Sequence, residues 1–196
     1  MNSQASEILS LILNLTGNIE KEFNDRLPRK IGVLAKQHFR ENFRKSGFVD
    51  GGVRPWQKAQ REGGTSTSSR YRTLTSSRNH LMNSIEAIPA KGSVLVYNPV
   101  PYSVIHNEGG SMLSFPNVTP KMRRFFWAQY FNAGGKKGGE EAEKWKRIAL
   151  GAKDVVRIKF RMPKRQFIGE SKELREKIEQ EFVKTIERLT AEIKTK

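Results

Sequence analysis

Three histidines, His38, His80 and His106, are the side chains best suited to acid–base or metal chemistry, and their placement argues against both. They lie far apart and lack the spacing of a metal-ligand set. His106 with Glu108 cannot alone form a metal pair. A hydrogen bond from His106 to backbone beside the Gly109-Gly110 turn is the expected use of that side chain. Nucleophilic catalysis needs a base beside the nucleophile and a third group to orient it. No serine here sits in a nucleophile-elbow context. The run Gly134-Gly135-Lys136-Lys137-Gly138-Gly139 lacks the Gly-Lys-Ser/Thr ending of a phosphate-binding loop, so it reads as a flexible linker. Glu140, Glu141 and Glu143 open a helix, where negative charge suits the dipole. Asp154 ahead of Lys159 leaves a metal-dependent nuclease as the third reading. No catalytic residue, metal or cofactor is expected.

The charge is more informative. The 196 residues carry a net +16 and no cysteine, which removes disulfides and thiolate metal sites. Residues 54–80 hold six basic and one acidic side chain, residues 112–153 nine and three, and residues 157–165 five and none. The rest of the chain cancels to zero. Such local excess favours a polyanion or an acidic protein surface, or serves as a solvated face. Arg157, Lys159, Arg161 and Lys164 form an acid-free stripe with Arg165. With Arg123 and Arg124, the first four are the candidate polyanion or partner contacts. Phosphate contact there would be salt-sensitive and independent of sequence. Met1 to Leu15 has no basic leader or cleavage site, and no run approaches the ~18 apolar residues of a membrane span. A soluble, cytoplasmic protein with no membrane partner is expected.

The elements that must position these residues follow from periodicity. Residues 4–25 predict a helix with Ile8, Leu11, Ile12, Leu15, Ile19 and Phe23 at helical spacing. Pro28 is expected to break or restart it. Ile31, Ala35, Phe39 and Phe43, four apart, define a second helix over residues 29–45. Residues 46–73 read as a long loop pinned by Trp56, either a plug on the core or an anchor for a partner. A short helix over 75–87 and a strand at 94–97 follow. Tyr102 to His106 predict one helical turn before Gly109-Gly110. Residues 112–153 read as a helical insertion, with Thr119 as cap and Pro120 in the first turn. Val156, Ile158, Phe160 and Met162 alternate with basic residues, which predicts a strand with one buried and one basic face. Ser171 caps a final helix striped by Leu174, Ile178, Phe182, Ile186, Leu189 and Ile193. The sum is one α+β domain, residues 1–196. A small mixed or antiparallel sheet containing residues 94–97 and 156–162 packs against long N- and C-terminal helices.

Four ordered patterns carry a resemblance. The first is Phe39, Phe43, Gly47, Asp50-Gly51 and Pro55-Trp56. The second is Leu74-Thr75-Ser76-Ser77 leading to Leu81 and Asn83-Ser84-Ile85. The third runs from Tyr102 through His106 to Gly109 and Gly110. The fourth is Pro163-Lys164-Arg165-Gln166-Phe167-Ile168-Gly169, ahead of the last helix. In order, over residues 30–185, they resemble the virion morphogenesis (tail-completion, tail terminator-like) proteins of tailed bacteriophages. Arg78 stands where that family commonly has glycine, and residues 112–153 are an insertion. The resemblance implies a non-enzymatic subunit acting at the head–tail junction, commonly as a ring homo-oligomer. Its partners would be tail-tube and head–tail connector proteins, in the host bacterial cytoplasm during assembly and then in the virion. Trp56, Tyr102, His106, Gly109, Gly110, Pro163, Arg165, Phe167 and Gly169 would be its motif residues. A sequence-independent DNA-binding module using residues 157–165 is the runner-up.

Overall fold

The computed structural model describes residues 2–64, 67–115, 117–151 and 158–194. Helices and small antiparallel sheets make a mixed fold with long terminal helices, as expected. The chain divides into two compact units: Met1–Gly109 with Pro163–Lys196, and Gly110–Met162.

The first unit opens with α1 (Asn2–Lys21), a π-helical turn (Glu22–Arg26) and α2 (Leu27–Lys45). The path therefore stays helical, and of the expected break or restart at Pro28 the restart is what forms, α2 beginning at Leu27. Proline has no N–H to give to the carbonyl four residues back, and its ring crowds that carbonyl. Widening the preceding turn relieves both, and Pro28 lands in the first turn of α2, where a missing donor costs nothing. Ser46, left-handed at φ 52°, ends α2 and gives its N–H to the Asn42 and Phe43 carbonyls.

Two hairpins follow that sequence periodicity did not reveal. β1 (Gly47–Val49) pairs antiparallel with β2 (Val53–Pro55), inside the segment read as loop. Gly47 is required there, since a Cβ would stand 2.6 Å from the Arg54 carbonyl oxygen. The helix expected over 75–87 shrinks to the single turn α3 (His80–Asn83). The residues after it form β3 (Glu86–Ala90), paired with β4 (Ser93–Tyr97) with Ile88 opposite Leu95. Then come α4 (Ser103–Glu108) and, after the chain returns, α7 (Lys172–Lys194).

The core of this unit gathers Ala35, Phe39 and Phe43 from α2 with Trp56, Leu81, Ile85, Val100, Phe167 and Leu174. Each such large side chain contributes about 1.5–3 kcal/mol on leaving water. Phe43 is fully buried, with the rings of Phe167 and Trp56 at 5.1 and 5.4 Å.

The second unit is a two-stranded ribbon carrying a helical hairpin. β5 (Gly110–Ser114) pairs antiparallel with β6 (Ile158–Met162), Gly110 opposite Met162. Residues 158–162 thus take a partner other than the 94–97 strand expected to share their sheet. Between the strands lie α5 (Pro120–Asn132) and α6 (Gly139–Gly151). Thr119 caps α5 by accepting the Met122 N–H at 3.2 Å. The glycine run read as a linker contains a 3-10 turn (Gly135–Lys137). A Cβ on Gly138 would collide with the Ala133 carbonyl, so the two helices approach as closely as they do only over glycine. Phe126 and Ala149 are buried between them, packed by Met122, Trp127, Trp145 and Ile148.

Candidate functional site

Each of the four patterns sends residues to Phe167 or its core in the first unit: Phe39, Phe43 and Trp56, then Leu81 and Ile85, then Asn107, and Phe167 itself. The Pro163–Gly169 segment belongs to no helix or strand and would leave backbone groups unpaired unless side chains reached them. Two asparagines do so. Asn107 Oδ1 accepts the N–H groups of Phe167 and Ile168 at 2.9 and 3.0 Å. Asn42, fully buried on α2, donates Nδ2 to the Phe167 carbonyl at 3.1 Å and accepts the Val49 N–H. Trp56 donates its indole N–H to the Gln166 carbonyl at 2.7 Å, which makes it the plug on the core and leaves it 8% exposed. Arg165 donates its backbone N–H to the His106 carbonyl at 2.8 Å.

The next lock joins the β1–β2 turn to the start of α7. The turn residues Gly51 and Gly52 have φ of 64° and 126°, angles that glycine adopts freely. Their N–H groups go to the Glu173 carboxylate, both at 3.1 Å. In return Asp50 accepts the Lys172 N–H at 3.2 Å, and Ser171 caps the helix through the Leu174 N–H. The Glu173 carboxyl is held down to about 2, by its own backbone N–H first and then by those of Gly52 and Gly51. A third lock lies at the π turn. Glu22 is buried, with Arg188 of α7 at 2.6 Å, Arg26 at 3.2 Å and Lys30 at 3.9 Å.

The motif residues divide by environment. Gly109 (φ 73°) and Gly110 (φ 125°) supply the turn out of α4. Tyr102 is 42% exposed, its ring edge-on to His106 and 6.3 Å from His80. His106 does not make the side-chain bond to backbone expected of it: its Nδ1 is buried without a hydrogen-bond partner among the described residues. The neighbouring Asn107 bonds backbone instead, at Phe167 and Ile168 rather than beside the Gly109-Gly110 turn, because an amide oxygen can accept two N–H groups at once. Burial, and the charges of Arg165 and Arg61, keep the His106 imidazole below its ordinary value. Pro163 and Gly169 are half-buried at the two ends of the clamped segment.

The structure places the members of the basic stripe differently. Arg157 lies outside the described residues. Arg165 is buried, its guanidinium given to the Gln57 and Lys58 carbonyls at 2.9 and 3.4 Å. Lys164 is exposed and ion-paired with Glu108 at 3.3 Å. Lys159 and Arg161 point outward from β6, on the ribbon face they share with Leu113 and Ser111. The opposite face, with Met112 and Phe160, is half-buried rather than buried. Arg123 reaches back to the Ala149 carbonyl at 3.4 Å, while Arg124 is on the open face of α5.

Two features of the first unit leave apolar surface uncovered. An open groove of about 530 Å³ is floored by Ile31, Ala35 and Phe39 and walled by Val94, Val96 and Leu174 among others. The apolar stripes of the terminal helices are also open in part. Ile12 on α1 is 49% exposed, and Phe182, Ile186 and Ile193 on α7 are 38%, 51% and 45% exposed. Only the first part of the α7 stripe, Leu174 and Ile178, packs on the core. Among the described residues no group of acids and histidines is arranged to hold a metal, and no helix is long and apolar enough to cross a membrane. Compared with known protein families, curated proteins and solved structures, the chain matches none.

Proposed function

We propose that this chain is a structural assembly protein of a tailed phage or prophage that completes the tail and joins it to the head. It acts as a ring of identical subunits between tail-tube and connector proteins. The observation that carries the reading is the convergence on Phe167. Pattern one supplies Phe43 and Trp56, pattern two Leu81 and Ile85, pattern three Asn107, and pattern four the clamped segment. Segments that resemble one family's motifs meet in one core of this chain, which supports the reading.

The reading assigns no chemical step. Its mechanism is fit between surfaces, and the uncovered apolar groove and helix faces are the material for it. Contiguous exposed apolar surface marks sites of protein association. A head-to-tail contact closes into a ring when its rotation permits. The protein would be made in the host cytoplasm and retained in the virion.

The test is genetic. A phage lacking this chain should fill heads and build tails that fail to join, and a plasmid copy should restore joining. A copy carrying Ile186→Glu, which puts charge on the open face of α7, should restore it poorly while folding normally. Normal yields of infectious particles without the chain would reject the proposal.

A further inference from the structure

We infer that the outer face of α5 is a docking surface for single-stranded nucleic acid. The second unit is the smaller of the two, yet its twelve basic and four acidic side chains give it a net +8, half of the chain's +16. Its three described acids, Glu140, Glu141 and Glu143, all sit at the start of α6. Neither α5 nor the β5 and β6 strands carry any. Lys121 and Arg124 of α5 are exposed, without neutralisation by their own element.

At about 100° per residue, Lys121, Arg124, Phe125, Ala128 and Phe131 share one side of α5, opposite the buried Phe126 and Tyr130. Phe125 and Phe131 are 53% and 67% exposed, which is unusual for rings with a hydrophobic core beside them. Both are braced from behind. Phe125 stands edge-on to Trp145 at 6.1 Å, and Phe131 packs on Tyr130 at 5.1 Å. Lys121 and Arg124 make no ion pair among the described residues.

Flat, braced, solvent-facing rings alternating with free cations suit one partner chemistry best. A single strand offers phosphates to the cations and unpaired base faces to the rings. A duplex offers phosphates but hides its base faces, and an acidic protein surface leaves the rings without a flat partner. This inference uses a different unit and different residues from the tail-completion reading, so either can fail alone.

The experiment is fluorescence anisotropy of the full chain with a labelled oligothymidylate of about 20 nucleotides, the same length of duplex, and phosphatidylglycerol vesicles as competitor. The oligothymidylate should bind more tightly than the duplex. Phe131→Ala should weaken single-strand binding at least about fivefold and leave duplex binding unchanged. Phe131→Leu, which keeps apolar bulk without a ring, should do the same if the alanine variant folds poorly. Lys121→Gln with Arg124→Gln should reduce the log–log salt slope by about 1.4. Arg54→Gln, in the first unit, should change nothing. No binding, tighter duplex binding, ring variants without effect, or binding to vesicles alone would each overturn the inference.

Discussion

Asn42 and Asn107 both hold the backbone of one residue, Phe167: Asn42 donates to the Phe167 carbonyl at 3.1 Å while Asn107 accepts the Phe167 N–H at 2.9 Å. The two amides are not interchangeable in role. One uses its nitrogen on this segment and the other its oxygen.

That difference predicts opposite responses to one substitution. Asn107→Asp keeps the acceptor and should change stability by about 1 kcal/mol or less. Asn42→Asp places a charge in a fully buried site and turns an oxygen toward the Phe167 carbonyl. It should cost about 3 kcal/mol or more. Urea denaturation of both variants checks the contrast.

At the π turn, removing Arg188 leaves buried Glu22 with Arg26 and Lys30 alone. Arg188→Leu should destabilise by about 1–3 kcal/mol, and by less in a Glu22→Gln background, in a double-mutant cycle. Burial pushes the Glu22 carboxyl up, but Arg188, Arg26 and Lys30 together hold it below the ordinary 4.5. A depressed carboxyl contributes stability above 4.5 that is lost as pH falls through the folded value. The wild-type excess over Arg188→Leu should therefore shrink below pH 4.5.

Two histidines set a second pH dependence at milder acidity. His38 is buried on α2 with Nε2 unpartnered, and burial, then the charge of Lys177, keeps it below the ordinary 6.5. His106 is lowered for the same first reason. The unfolded chain binds these protons more readily, so stability should decline as pH falls below 6.5. Imidazole signals followed by NMR should titrate below that value for both residues, and titration of either one at or above 6.5 would contradict the account.

In the second unit, Gly138→Ala should disrupt the α5–α6 turn, since its Cβ has no space beside the Ala133 carbonyl. Overpacking of this kind costs about 1–3 kcal/mol or more. Gly139→Ala meets only the strain of φ 62° and should cost about 1 kcal/mol. Hydrogen exchange should show the Gly138→Ala effect confined to residues 117–151.

The legible parts of this fold were those where one residue type repeats at a structural period. The Ile31–Phe43 stripe, the Thr119-Pro120 start and the Ser171 cap each state their geometry locally. β1 was not legible because three residues cannot display alternation. β3 was obscured by Pro89, which argues against a strand yet is tolerated at the edge of a two-stranded sheet. The partner of β6 was hidden because pairing is non-local, and an alternating strand says which face is apolar but not what lies beside it. In the candidate site the apolar anchors were visible and the amide clamps were not. Asn42 resembles any polar residue on an amphipathic helix until Phe167, 125 positions later, is brought beside it.

Gly110 and Met162 face each other as the first rung of the β5–β6 ladder. A segment whose ends meet on one rung is a cassette: it can lengthen, shorten or be exchanged for a tight turn without altering where the flanking chain must go. Selection can therefore rework that segment by itself, while the chain path through the Phe167 core it interrupts stays the same.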